Sequence, residues 1–211
     1  MVIVGAKGHA KEIFDLINIG NRSNIFFFDN VSTDNPAKLY GCPILNNFND
    51  LNEILSQNPD FILGLGGVFN RYNLYKIFLE HNANPVSAIA QNAHISSNCQ
   101  LGKGLNIMAF SSINADTTIG VGALINSYAS VHHDCKIGRF VELSPGSRLL
   151  GNCNVGDFTN IGTNAVILPK VTVGSNVIIA AGAVVTKNIP DNCMAAGVPA
   201  VIKKSFAPLN F

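Results

Sequence analysis

The chain has no tryptophan, only three methionines and few charges: 13% of its 211 residues are Asp, Glu, Lys or Arg. Lys and Arg number 14 against 13 acids, a net charge of +1, too balanced to grip nucleic acid or an anionic membrane. The five cysteines (Cys42, Cys99, Cys135, Cys153, Cys193) are odd in number and include no CxxC pair. This argues against a disulfide framework and for a reducing compartment. No apolar run approaches the roughly 20 residues of a membrane span. The opening MVIVGAKGHA carries no basic leader, so a mature cytoplasmic chain is expected. A chain of this length can bury a core in one or two domains without disulfides or metal.

What the sequence does have is a repeat. Every sixth residue from Ile95 to Val185 is Ile, Leu or Val, and two positions before each lies a residue that, Leu105 apart, is small or β-branched. A glycine follows the aliphatic at Gly102, Gly120, Gly138, Gly156, Gly162 and Gly174, which suits a tight corner where a side chain would be costly. A period of six matches neither a helix nor hairpin sheets. It fits a parallel β-helix in which three short strands make one coil and each coil stacks on the last. Leu101, Ile119, Ile137, Val155 and Val173 then form one internal row. Cys99, Cys135 and Cys153 fall in the small interior register, where packing explains them better than thiol chemistry.

Residues 1–88 have a different rhythm. MVIV reads as a buried strand, HAKEIFDLI as a helix, NIFFFD as a second strand and FNDLNEIL as a second helix. DFILGLGG and FNRYNLYKIFLEH complete a third strand–helix pair. Alternating strands and helices imply a small parallel, Rossmann-like α/β sheet, with Pro85–Ala93 as the junction and residues 89–211 forming the second domain. Gly5 and Gly8 flank a helix start, where bare amides and the dipole favour a phosphate. Asp29 closes the second strand, where an acid can accept from a sugar hydroxyl. GAKGHA is not the full GxGxxG fingerprint, so a dinucleotide is poorly supported, and a plain βα turn is the alternative reading.

An α/β domain opening with GAKGH, a β-helix carrying HHDCKIG at 132–138, and the tail AAGAVVT followed by GVPA together resemble one bacterial family. It is the nucleotide-sugar acetyltransferases grouped with sialic acid O-acetyltransferases, including the bacillosamine-pathway and perosamine N-acetyltransferases. The resemblance covers nearly the whole chain. It implies a left-handed β-helix, a homotrimer with acetyl-CoA as co-substrate in the groove between prisms, and no metal. Lys7, Gly8 and His9 would contact the nucleotide diphosphate, Asp29 and Asn30 would lie near the nucleoside, and Gly66 would stand beside the same pocket. The acceptor implied is a nucleotide-linked amino sugar, commonly a 4-amino-4,6-dideoxy sugar, used for surface glycans.

The chemistry asks for a base that takes a proton from the amine and a donor to the tetrahedral oxyanion. A neutral histidine suits the first task. The family motif selects His133, with Asp134 favouring the imidazolium that forms; His132 is packing or substrate lining. Asn126 matches a position facing the sugar, and Thr163, Ala181 and Gly182 match cofactor contacts along coil edges. Glu142 stands where many relatives carry a second histidine near the thioester. A carboxylate cannot donate to an oxyanion unless protonated, so a backbone amide, at Gly151, would take that role. Glu142 then either lies by the cofactor, binds a cationic part of the acceptor, or is structural. His81 and His94 have no catalytic partner. Two other classes of function stand beside the N-acetyltransferase: an O-acetyltransferase acting on sialic acid or another sugar, and a non-catalytic nucleotide-sugar-binding protein. A zinc hydratase would need three convergent histidines, and the chain offers only an adjacent pair near the right region.

Overall fold

A computed structural model describes residues 1–17 and 24–210. The front domain is built on β1 (Val2–Val4), β2 (Phe26–Phe28), β3 (Lys38–Leu39), β4 (Cys42–Leu45), β5 (Asp60–Leu63) and β6 (Asn84–Pro85), with helices α1 (Gly8–Ile17), α2 (Phe48–Gln57) and α3 (Val68–Glu80). The sheet order is β3-β4-β2-β1-β5-β6; only β3 runs antiparallel to its neighbour. Val2, Ile3 and Val4 are fully buried because helices cover both faces of a parallel sheet, which is why the strand reads as an unbroken apolar run. The β3–β4 hairpin and β6 are additions to the three strands expected. Asn84 and Pro85, the latter expected in the junction, pair instead with β5 and extend the front sheet.

From Ala88 onward the chain winds as a left-handed parallel β-helix with three faces. The first stacks Ala88–Ile89, Asn106–Ile107, Leu124–Ile125, Glu142–Leu143, Asn160–Ile161 and Val177–Ile179. The second runs from His94–Ile95 through Ser130–Val131 to Val184–Val185, and the third from Gln100–Leu101 through Lys136–Ile137 to Thr172–Val173. Each strand pairs with the strand one coil later, as in Asn106 with Leu124 and Leu124 with Glu142. The six-residue aliphatics fill the interior, with Ile119, Leu143, Leu149, Ile161 and Val173 essentially sealed. Leu101 is the exception in its row at 37% exposure, because no coil covers it from the N-terminal side.

The glycines after each aliphatic are required by crowding rather than by backbone twist. A Cβ on Gly120 would lie 2.6 Å from the Gly138 carbonyl carbon and 2.7 Å from the Arg139 nitrogen, and one on Gly162 would lie 2.6 Å from the Ala181 nitrogen. The left-handed backbone falls two residues further along, at Phe110, Asp116, Tyr128, Asp134, Phe140 and Phe158 among others. Aromatic side chains in that region are costly, roughly 1–2 kcal/mol each. At Phe140 and Phe158 burial offsets the cost. Both rings pack under α3, with Tyr72 edge-on at 5.3 and 5.2 Å and Tyr75 at 5.3 Å from Phe140. Helix α1 adds a second contact, setting Ala10, Ile13 and Phe14 in one apolar cluster with Met108 and Leu124 of the first face.

The crowding argument predicts that Gly120→Ala lowers the thermal midpoint by several degrees, at about 2–4 °C per kcal/mol for a chain of this size. Gly8→Ala, whose added Cβ meets nothing within 4 Å, should move it by no more than about 1 °C. Differential scanning calorimetry of the two variants checks both.

Candidate active site

The chain passes from β1 to β2 and β4 on one side of the front sheet and then returns to place β5 on the other side of β1. That reversal opens a crevice at the strands' carboxyl ends, where open α/β sheets bind ligands. A cavity of about 490 Å³ lies there, and its walls include Lys7, His9, Asp29, Asn30, Gly66 and Asn70. Five of the six residues expected at the nucleotide are thus gathered around one space. Gly8 opens α1 at its rim. Gly5 permits the tight turn: its φ is 110°, and a Cβ would sit 2.8 Å from the Gly64 oxygen.

Chemistry separates these residues. Lys7 Nζ is ion-paired to Asp34 at 3.0 Å with both side chains exposed. Burial pushes the Asp29 carboxyl up, but hydrogen bonds from Asn35, Ser32 and Val31 outweigh it and hold the group below its ordinary value. One Asp29 oxygen accepts from the Val31 and Ser32 amides at 3.1 and 3.0 Å, so the expected contact to a hydroxyl falls to the other. His9 is held in its neutral form chiefly by burial. Its Nδ1 lies 3.0 Å from Glu12 Oε2, and a carboxylate can only accept, so Nδ1 carries the hydrogen and Nε2 is a bare acceptor. That Nε2 is buried without a partner among the described residues. The His9 imidazole therefore does not suit a phosphate oxygen; its backbone amide, in the unpaired first turn of α1, does.

The second cluster lies on the β-helix edge between the second and third faces. His133 Nδ1 meets Asp134 Oδ2 at 2.7 Å, with 63% and 54% of the side chains exposed. The left-handed backbone at Asp134, φ 59°, belongs to the repeating corner and carries the carboxylate beside the ring of the residue before it. By the same logic Nδ1 carries the hydrogen and Nε2 is left as a base. One coil on, a Cβ at Gly151 would fall 2.7 Å from both Cε1 and Nε2 of His133, so the imidazole lies on glycine. The Gly151 amide donates to no acceptor among the described residues. The corner is fastened from inside: Thr117 Oγ1 donates to the His132 carbonyl at 3.0 Å, and Cys135 Sγ to that of Leu150 at 3.3 Å. Contact with Cys153 and burial push the Cys135 thiol up, which leaves it a packing and tethering group.

Other expected residues fall elsewhere. Asn126, Thr163, Ala181 and Gly182 line the edge between the first and second faces, where the Gly182 amide bonds the Thr163 carbonyl at 2.8 Å. Glu142 is on the first face, and its Oε2 accepts from the Gly67 amide at 2.7 Å. His81 caps α3, stacks on Phe48 at 5.0 Å and bonds Asn52 at 2.7 Å. Among the described residues, no group of three or more His, Cys, Asp or Glu side chains is placed to hold a metal ion, and no helix is long and apolar enough to cross a membrane.

Sequence reasoning missed Arg71. It is completely buried between α3 and the β-helix and donates to the carbonyls of Leu65 and Gly122 at 2.8 and 3.1 Å and to Asn106 Oδ1 at 2.6 Å. Burial pushes the guanidinium down to about 10, opposed by the charge of Glu142, so it stays protonated at neutral pH. Its only advance signal is a lone cation in the aromatic run FNRYNLY. Arg71→Met strands three buried acceptors and is expected to cost about 3–5 kcal/mol in urea unfolding.

The PglD N-terminal domain family matches residues 1–78, and the bacterial transferase hexapeptide family (six repeats) matches residues 152–187. No curated relative matches in sequence. Among solved structures, PerB from Caulobacter crescentus, in complex with CoA and GDP-perosamine, is 33% identical over 96% of both chains with a TM-score of 0.86. The acetyltransferase domain of PglB from Neisseria gonorrhoeae, in complex with acetyl coenzyme A, is 30% identical over 96% of this chain and 98% of its own, TM-score 0.87. WeeI from Acinetobacter baumannii is 26% identical over 96% of this chain and all of its own, TM-score 0.86. A front sheet with its crevice, a hexapeptide β-helix with an exposed His–Asp pair, and near-complete coverage by these structures place the chain in one family: it belongs to the bacterial nucleotide-sugar acetyltransferases of the hexapeptide-repeat class.

Proposed function

We propose that the protein transfers the acetyl group of acetyl-CoA to the amine of a nucleotide-linked sugar, a 4-amino-4,6-dideoxy sugar used for surface glycans, in the cytoplasm. The observation that carries this reading is the exposed His133–Asp134 pair, with Nε2 free, in a chain whose front sheet opens a nucleotide-sized cavity at its switch point. Residues 1–88 hold the nucleotide sugar. Lys7 and the amides of Gly8 and His9 meet the diphosphate, Asp29 and Asn30 the nucleoside, and Gly66 the sugar end. Residues 89–211 bind the acyl donor, with Thr163, Ala181 and Gly182 along its path and Asn126 toward the sugar. The CoA and GDP-perosamine held by PerB support this assignment of ligands.

In the reaction the amine nitrogen forms a bond to the thioester carbonyl carbon, and its proton passes to His133 Nε2. Asp134 favours the imidazolium that results. The Gly151 amide, beside His133, donates to the oxyanion. Collapse breaks the C–S bond, and the departing sulfur takes the proton from His133 to leave as CoA thiol. The His133 edge and the face carrying Glu142 point away from each other in one prism, so a complete site is assembled between chains, in a homotrimer.

The test is CoA thiol release with UDP-, GDP- and dTDP-linked 4-amino sugars and with free sialic acid. Turnover of an amino sugar is expected, lowered about 100-fold or more in His133→Ala and by less than about threefold in His132→Ala. Gly151→Ala, which displaces the imidazole, should lower kcat at least about tenfold with little change in thermal midpoint. Activity with sialic acid alone would move the assignment to O-acetylation. Bound nucleotide sugar without any turnover would make the protein non-catalytic.

A further inference from the structure

Glu142 stands on the first face between Leu124 and Asn160 in the ladder and reaches across to the front domain. Its Oε2 takes the Gly67 amide, while no group among the described residues donates to Oε1. A Cβ built on Gly66 would lie 3.6 Å from both carboxylate oxygens, so the carboxylate rests directly against the backbone of a residue that lines the nucleotide cavity. A second cavity, of about 390 Å³, opens on the other side, lined by Gly67, Phe69, Phe158, Asn160 and Ile178. Asn70 lines both. Glu142 lines neither cavity itself but lies against Gly66 in the wall of the first and bonds Gly67 in the wall of the second. His9 lines the first cavity and feels the charge of Glu142, and its Nε2 is also an acceptor without a donor. Oε1 of Glu142, unanswered and set against the cavity-lining Gly66, fits a ligand N–H that reaches the edge of that cavity.

We propose that Glu142 binds the acceptor amine: Oε1 accepts an N–H of the sugar's amino group and fixes where its nitrogen stands. This rests on the acetyltransferase reading above. The contact leaves the nitrogen lone pair free to point toward the second cavity, from which the thioester carbonyl carbon is approached. Glu142 orients the nucleophile without taking its proton, which goes to His133 as described. It also selects an amine over a hydroxyl, because an amine keeps a second N–H for His133 after bonding Glu142, and a hydroxyl has only one hydrogen to give.

Glu142→Gln tests this. The amide retains an oxygen for Gly67, so α3 stays capped, but it turns an NH₂ toward the sugar amine. The probes are the UDP-, GDP- or dTDP-linked 4-amino sugar that the wild-type protein turns over and the matching nucleoside diphosphate alone. The KM for the amino sugar is expected to rise about tenfold or more. The KM for acetyl-CoA and the calorimetric Kd for the nucleoside diphosphate should change less than about twofold. An unchanged amino-sugar KM overturns the proposal. So does a parallel loss of nucleoside diphosphate affinity, which would show that Glu142 serves only to dock the two domains. Failure of the wild-type protein to turn over any 4-amino sugar would instead overturn the acetyltransferase reading, and this inference with it.

Discussion

Everything in the second domain follows from one constraint: each residue lies directly over the residue one coil later. Strand pairing enforces it on every face, as between Glu142 and Asn160 or Ser130 and Arg148. Where the chain turns, backbone meets backbone at distances that admit no Cβ, and glycine follows. Where a side chain projects inward at a corner, it meets the next coil's carbonyl, so Thr117 and Cys135 become tethers rather than reactive groups. The same stacking puts the His133 ring on Gly151. The geometry of the His133 corner is thus a property of the repeat and needs little added side-chain machinery. A base held this way has already met its ordering cost when the chain folds.

Besides the α1 packing, the front domain meets this rod through two unlike contacts. The aromatic one, Tyr72 and Tyr75 on Phe140 and Phe158, is apolar and tolerant of small shifts. The polar one is directional. Arg71 must reach Leu65, Gly122 and Asn106 at once, and Glu142 must reach Gly67. A buried cation satisfied by carbonyls on both domains allows one docking geometry and penalises others. The wall of the front-sheet cavity between Leu65 and Asn70 is therefore set by the β-helix as much as by its own sheet.

The rod was legible in the sequence because its interior accepts only aliphatics and small residues, and a six-residue period matches neither the 3.6 of a helix nor the 2 of an ordinary strand. The left-handed corner positions were not, since Phe, Tyr, Asp, Asn, Lys and Gly all occupy them, some held there by distant packing. The short hairpin Lys38–Leu45 was missed because its strands are brief and one carries Pro43. The crevice at the strand ends could be read from the βα turn and the ends of the strands, and the His133–Asp134 contact from its motif. Arg71, and the partner of Glu142, could not be read from local sequence. An isolated arginine in a helix reads as solvated, and Glu142 finds its partner 75 residues away.

Exposure of the His133–Asp134 pair is itself informative. A base open to water in one chain gains little from its neighbours' electrostatics, because solvent screens them. The groups that would make it effective, a substrate amine and a thioester shielded from water, lie by this reading at another face of another prism. Spreading the site over separate edges keeps each piece rigid: the imidazole on a stacked coil, the nucleotide in a parallel sheet. In the proposed trimer, subunit packing would be the step that excludes water and brings nucleophile to base. On the proposed reading, a free chain holds a well-formed front-sheet cavity and a well-oriented histidine, yet has no place where the two meet.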